Sequence, residues 1–523
     1  MKFLLPKKNL LIAIFIAILS FSILFATVKE IGMVWDEPAY NKAAESYANW
    51  TYIFLKDPGR ALQKATIDTY FETNHEHPPV AKMWSGVVWF VIKNITDPLT
   101  AFRIGPMISA AILMAILYLM IAELFGNAAG IFASSALISL PRFFFHSHLA
   151  TLDVPITVAC FITTYLFWKT IDRKSWLWGL LCGVIWGVSV AVKLNGVFVF
   201  FSLFIWVVIF RRKWKSMLRL VVMGATALLT FFISWPWLYH NTWQRVIEYI
   251  NFHVNHYRIG YWFLGKYYLP PPWYAVFVIL WAVLPLTFII LAGIGGSRAK
   301  RGATDNGLTW LLIISAVIAI MPFFTGVALL YDGERLFMPI FPYLAGLAGI
   351  GFGWIMKKIG TITLFKRSQG LRVLLTIVVG LLFILPSLMG ILKYYPHLLS
   401  YYSETVGGIK GATRIGLETT YWNEAYPDVF PILREQVTEG DVIWAECDTI
   451  RDYKRFGVLP SDLACEDFFT PDVDWFLLQY RQSQYSVGGE ENYPPLIFLQ
   501  EKTPLQVVAI DGIPILKLYH LEK

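Results

Sequence analysis

The sequence predicts an all-α polytopic membrane protein of about 11 transmembrane helices, followed by a small C-terminal extracytoplasmic α/β domain. Three observations predict it. First, 56% of the 523 residues are apolar and only 15% are charged, which excludes a disordered chain, a nucleic-acid binder and an ordinary soluble enzyme. Second, apolar runs near the length of a bilayer span recur along the first three quarters of the chain. Third, the charge divides: residues 1–395 carry 34 Lys/Arg and 16 Asp/Glu, whereas residues 396–523 carry 10 and 20. The basic excess lies in short loops between apolar runs, where it sets topology, so no polyanionic partner is needed to explain it.

The runs fall at 9–27, 104–122, 127–145, 154–171, 175–192, 194–210, 218–239, 273–293, 307–330, 336–356 and 371–392. The first follows Lys2, Lys7 and Lys8 and lacks a small-residue cleavage pattern, so it reads as a retained span rather than a signal peptide. The weakest is 127–145, which contains Pro141 and Arg142. Val80 to Ile95 is apolar but short, follows Pro78-Pro79 and carries Lys82 and Lys93; it reads as a helix lying along the membrane surface. With eleven spans and a cytoplasmic N-terminus, the basic clusters at 173–174, 211–213, 298–301 and 357–372 all fall inside. Loops 28–103, 146–153, 240–272 and 331–335 then fall outside, together with the acidic tail. A domain of residues 1–395 and a tail domain of 396–523 follow from this division.

In the tail, a helix is expected near Asn423 to Glu435 and a strand near Val442 to Glu446. Extended runs are expected at Trp475 to Tyr480, Leu496 to Leu499 and Leu505 to Leu518. Cys160 and Cys182 lie within apolar runs as packing residues; Cys447 and Cys465 pair if the tail is extracytoplasmic.

On this topology the boundary charges gather on one side of the membrane, where several costly ionisable groups facing one compartment mark a site. They are Asp36-Glu37, His75-Glu76-His77, Lys82, Asp153, His253, His256 and Glu334-Arg335. A carboxylate at Asp36, between the hydrocarbon edge and Trp35, suits a general base, and it equally suits a helix N-cap before Glu37-Pro38. Asp153 before Val154-Pro155 reads first as ordinary capping of a proline-initiated helix, with an orienting role as a second carboxylate left open. Lys82 and Arg335 suit an anion, the Lys as a point charge and the Arg as a planar fork. Lys193, between two apolar runs, reads as a topological anchor. His253, His256 and the His75–His77 segment leave a divalent metal open as the one cofactor, Zn²⁺ or else Mg²⁺ or Mn²⁺. No Gly-rich phosphate-binding loop opens a helix in a soluble α/β unit, so neither a nucleoside triphosphate nor a dinucleotide is expected.

Four motifs carry a family likeness: WDEP at Trp35 to Pro38, HEHPPVAK at His75 to Lys82, ATLDVP at Ala150 to Pro155, and ERLFMPIFPY at Glu334 to Tyr343. Together they resemble the protein O-mannosyltransferase and aminoarabinose-transferase superfamily, membrane glycosyltransferases of the GT-C class. HLLSYYSE at His397 to Glu404 is similar to the prokaryotic branch. The resemblance implies a polyprenyl-phosphate sugar as donor and a catalytic Asp in the first extracytoplasmic loop, which maps onto Asp36. It further implies Lys82 and Arg335 as carrier-phosphate ligands, with Asp153 beside Asp36 and Glu37 as a further active-site acid. His77 and Glu334 fall in the same motifs as substrate contacts, as does Trp422 in the Thr420-Tyr421-Trp422 segment beyond them, and Glu76 and His256 correspond to a metal site of some members.

The expected function is an inverting glycosyltransferase moving a hexose or mannose-like sugar from a polyprenyl-phosphate donor to a hydroxyl on a glycan, lipid or protein. A sugar on a lipid phosphate already has a stable anionic leaving group, so one base and a cation clamp suffice. The location expected is the plasma membrane, with the chemistry at its outer face. A secondary transporter and a non-catalytic lipid-binding scaffold are the competing classes; against transport, the charges sit at one face rather than at the midplane of paired repeats.

Overall fold

The computed structural model describes residues 6–255, 258–299, 305–361, 368–485 and 493–521. Each of the eleven apolar runs is helical in whole or in part, because a chain without water around it must satisfy its backbone groups internally. Five helices are long and apolar enough to cross a membrane: Lys7–Thr27 with its 3₁₀ extension, Pro98–Phe125, Trp214–Ser234, Ile340–Ile359 and Gln369–Tyr394. Others are shorter, such as Asn127–Ile138, Leu177–Val192 and Leu308–Phe324. The run at 273–293 is two helices, Ala275–Val283 and Leu286–Gly296, bent by 114°. Pro285 lies at this break and Leu284 is extended before it, as a residue preceding proline prefers. Among the described residues, length and composition alone thus mark five spans, or six counting the bent pair, beside shorter apolar helices in the other predicted runs.

The outermost helices present apolar side chains without cover. Leu11 and Phe15 on the first helix and Leu381 and Leu392 on the last are more than half exposed, which only a hydrocarbon surround makes favourable. The chain is thus a multi-pass membrane protein. Val80–Ile92 is a helix, as expected; it packs between Glu37–Lys56 and Pro98–Phe125 and buries Ala81, Lys82, Ser85, Gly86 and Trp89.

The tail folds into a five-stranded mixed sheet in the order β4-β3-β5-β7-β6. A separate hairpin of β1 (Tyr261–Phe263) and β2 (Lys266–Tyr268) lies in the preceding loop region. In the sheet, β3 (Val442–Trp444) runs parallel to β4 (Ala464–Glu466) and β5 (Trp475–Gln479). β7 (Ile513–His520) runs antiparallel to both β5 and β6 (Gln506–Ile510). Two expectations for the tail need correction. Leu496 to Leu499 is not extended but ends a helix, Pro494–Leu499, started by two prolines whose fixed φ suits a first turn. The run at 505–518 is two strands, turned at Asp511-Gly512 where both residues have positive φ, as a two-residue hairpin demands. A disulfide joins Cys447 to Cys465 and fixes the helix Cys447–Arg455 to β4.

One contiguous apolar core runs from the membrane helices into the tail, including Met114, Phe341, Tyr401, Trp422 and Ile443. The first loop and the tail meet at Gly32, where a Cβ would lie 2.0 Å from the Glu424 carbonyl oxygen, so no larger residue fits that approach.

Candidate active site

The start of the Glu37–Lys56 helix carries two adjacent acids that face opposite ways. Asp36 occupies the N-cap position, but its side chain makes no capping bond. Instead Arg335 Nη1 donates to Asp36 Oδ2 at 2.6 Å. Arg335 Nη2 donates to Asp332 Oδ2 at 2.8 Å, and Arg481 Nη2 to Asp332 Oδ1 at 2.6 Å. Asp153, at the first residue of the Asp153–Thr170 helix, also makes no cap; its Oδ1 accepts from Lys193 Nζ at 2.9 Å and its Oδ2 lies 3.8 Å from Arg335. Asp332 has φ 51° and Gly333 φ 61°, a left-handed pair that turns the chain so that Asp332 and Arg335 face each other. Three carboxylates thus alternate with three cations drawn from five distant stretches of sequence.

Asp36, Asp332, Arg335, Lys193 and Arg481 line a cavity of about 460 Å³, together with Trp35, Tyr40, Glu76, His77, Tyr331 and Trp422, while Asp153 stands behind Lys193. The Arg335 guanidinium lies over the Trp422 ring at 4.7 Å and over the Tyr331 ring at 5.2 Å, an electrostatic hold that leaves its charge in place. Burial pushes the Asp36 carboxyl above its ordinary range; Arg335 opposes that rise, and Asp332 and Asp153 add to it. Burial works against the Arg335 charge, but Asp36, Asp332 and Asp153 outweigh it and hold that group well above its usual value. Burial, then the nearby Lys82 and Lys193, keep His77 neutral, well below the usual imidazole value. Its Nδ1 is buried with no hydrogen-bond partner among the described residues.

Several expected site residues sit elsewhere. Glu37 is sealed in the interior, where its carboxylate accepts from Arg103 Nε at 2.8 Å and Nη2 at 2.6 Å and from the backbone N–H groups of Val34 and Ala150. With neither residue of that pair exposed, Glu37 reaches no substrate. Glu334 is likewise buried, accepting from Arg142 Nη1 at 2.7 Å, with the Tyr421 hydroxyl and His146 beside it. Lys82 is 2% exposed, and its ammonium spends three donors on Asn74 O, Asn74 Oδ1 and His77 O, so it holds the loop bearing Glu76 and His77 instead of facing the cavity. Burial lowers its pKa to about 7.

Glu76 lines the cavity and accepts from Asn74 Nδ2 at 2.6 Å, while His256 lies outside the described residues. No group of three or more His, Cys, Asp or Glu suited to a metal occurs among the described residues. The sequence reading missed Lys193, Asp332, Arg481 and Arg103. Lys193 was visible as a charge between apolar runs but read as an anchor; Arg481 lies far along the tail, with nothing local to mark it.

A family profile described as Dolichyl-phosphate-mannose-protein mannosyltransferase matches residues 76–237, a stretch holding Lys82, Asp153 and Lys193 but neither Asp36 nor Arg335. No curated protein matches the chain. Among solved structures, the chain is similar to ArnT from Cupriavidus metallidurans in the apo state, with a TM-score of 0.51, 15% identity and 97% of each chain covered. It is also similar to ArnT from the same organism bound to undecaprenyl phosphate, with a TM-score of 0.50, 16% identity and 98% of each chain covered. The resemblance drawn from the four motifs therefore holds at the level of fold along nearly the whole chain.

Proposed function

From a GT-C membrane-glycosyltransferase fold as premise, we propose that the chain is an inverting glycosyltransferase that moves a hexose or mannose-like sugar from a polyprenyl phosphate to a hydroxyl acceptor. The observation that carries this reading is the contact of Asp36 with Arg335 inside one 460 Å³ cavity. A base and a phosphate clamp are the two devices that the reaction requires.

The resting contact also supplies an order of events. Arg335 Nη2 is anchored by Asp332, so the guanidinium keeps its position when Nη1 exchanges partners. An incoming phosphate competes for Nη1, with Lys193 and Arg481 as the neighbouring cations at the cavity wall. Losing Arg335 removes the group that opposes the rise in the Asp36 pKa, so donor binding makes Asp36 a stronger base. The acceptor oxygen then attacks the anomeric carbon, its proton passes to Asp36, and the carbon–oxygen bond to phosphate breaks with its electron pair leaving on the lipid phosphate. One displacement inverts the anomeric centre.

Lys82 and His77 act in this scheme as positioning groups for the loop at 74–77. Trp422 stacks against Arg335 at the sugar end, and Asp153 holds Lys193. No step is routed through a metal. The Cys447–Cys465 disulfide supports a tail on the oxidising side of the membrane and a cytoplasmic N-terminus, in agreement with the basic clusters.

The test uses the purified protein in vesicles with undecaprenyl phosphate carrying radiolabelled mannose. Wild type is expected to release undecaprenyl phosphate and to label an acceptor with inverted configuration, and Asp36→Asn to do neither while remaining folded. Retained configuration, or full turnover by Asp36→Asn, removes the reading.

A further inference from the structure

A second cavity, of about 510 Å³, opens in the tail and shares Trp35, Asp448 and Gln484 with the first. Its position follows from the topology of the sheet. The chain leaves β3 for β4 on one side, then crosses β3 to reach β5 on the other. Ligands of open parallel α/β sheets bind at such a switch, outside the carboxyl ends of the strands. The cavity lies there, lined by Trp444 at the end of β3, Ala445 and Glu446 after it, Leu477 to Gln479 at the end of β5, and Asp467 just past β4.

The lining has a definite chemistry. Gln479 is only 7% exposed, yet its Nε2 is buried with no partner among the described residues, and the same holds for Trp444 Nε1. Buried donors without acceptors are costly unless a ligand supplies the oxygens. Glu446, Asp448 and Asp467 offer carboxylate acceptors, and no basic side chain lines the cavity among the described residues. Arg451 neutralises part of this charge from outside, 2.9 Å from Asp448 and 3.9 Å from Asp467, but it is 64% exposed and such pairs are weak. Trp35 and Tyr426 add aromatic surface for the C–H face of a sugar ring.

We propose that this cavity is the acceptor subsite and that it takes a hydroxyl-rich saccharide bearing no acidic group. The assignment rests on the glycosyl-transfer reading and narrows it: donors meet ring and hydroxyl oxygens, carboxylates take hydroxyl protons, and a phosphorylated acceptor meets carboxylates with no cation in the wall. Trp35, common to both cavities and adjacent in sequence to Asp36, marks the way from the bound saccharide to the base.

Saturation-transfer NMR on the full chain in lipid nanodiscs tests it with three probes: mannobiose, the deacetylated glucosamine disaccharide, and mannose 6-phosphate. Signal from at least one disaccharide and none from mannose 6-phosphate is expected. Gln479→Leu and Trp444→Phe, each removing one donor, should weaken disaccharide binding about tenfold with the thermal midpoint retained. No disaccharide signal, an equal signal from mannose 6-phosphate, or unchanged affinity in both variants overturns the proposal. Binding of labelled undecaprenyl phosphate is measured in parallel. Loss of carrier binding with saccharide binding intact removes the transfer reading, whereas the reverse removes only the subsite.

Discussion

Asp36 and Glu37 are neighbours in the chain, each bonded to a distant arginine, yet they belong to two different environments. Glu37 and Arg103 have no exposure and every strong acceptor and donor direction is met by the pair itself or by backbone. Asp36 is one-fifth exposed and shares Arg335 with Asp332 and with the space of the cavity. A sealed ion pair fastens the first loop to the Pro98–Phe125 helix; an open one has a coordination position to exchange. Adjacent carboxylates can therefore divide structural and chemical work, and access of the pair to the cavity distinguishes the two.

Substitution separates the two environments most sharply. Asp36→Asn should lower transfer by about 10²–10⁴-fold, the usual worth of a positioned base, with the thermal midpoint close to wild type. Glu37→Gln leaves Arg103 charged and unpaired in the interior and should cost roughly 3–5 kcal/mol of stability, read as loss of folded protein in detergent before any effect on transfer. If the two variants instead lose stability equally, the contrast between the pairs fails.

Breaking the disulfide by Cys447→Ser should cost ~3 kcal/mol from its closed loop and be read as a lower thermal midpoint, with carrier binding kept. Lys193→Met and Arg481→Met should each weaken binding of undecaprenyl phosphate about tenfold, measured by titration of the labelled carrier. Lys82→Met should reduce turnover more than carrier affinity, because its ammonium grips the loop at 74–77. The smallest effect is one of pH. Only ionised Asp36 accepts a proton and its pKa is raised, so the rate should fall as pH drops through a midpoint above the ordinary carboxylate range.

What the sequence revealed depended on whether the signal was local. Apolar runs and the Trp35–Pro38 motif are read within short windows; the runs are helical in whole or in part, and Trp35 and Asp36 line the cavity. The direction of a side chain is not local: nothing in Asp36-Glu37 says which acid meets Arg103, 66 positions away from Glu37, and which meets Arg335, 299 positions away from Asp36. Arg481 reaches Asp332 only through the docking of the tail on the membrane part, whereas Asp332 meets Arg335 through a local turn that its sequence did not announce. The tail strands were legible where they alternated, whereas the Asp511-Gly512 turn was passed over because the apolar pattern resumes at once on its far side.

The contact at Gly32 bears on how substrates come and go. With that residue pressed against Glu424, the Tyr453 hydroxyl accepting from Met33 N–H at 2.6 Å, and Arg455 reaching Glu45 at 3.0 Å, the tail is riveted over the first loop at three points. On the proposed reading a lipid head and a saccharide pass around this seat, and an alanine at position 32 would jam it without touching a single reacting atom.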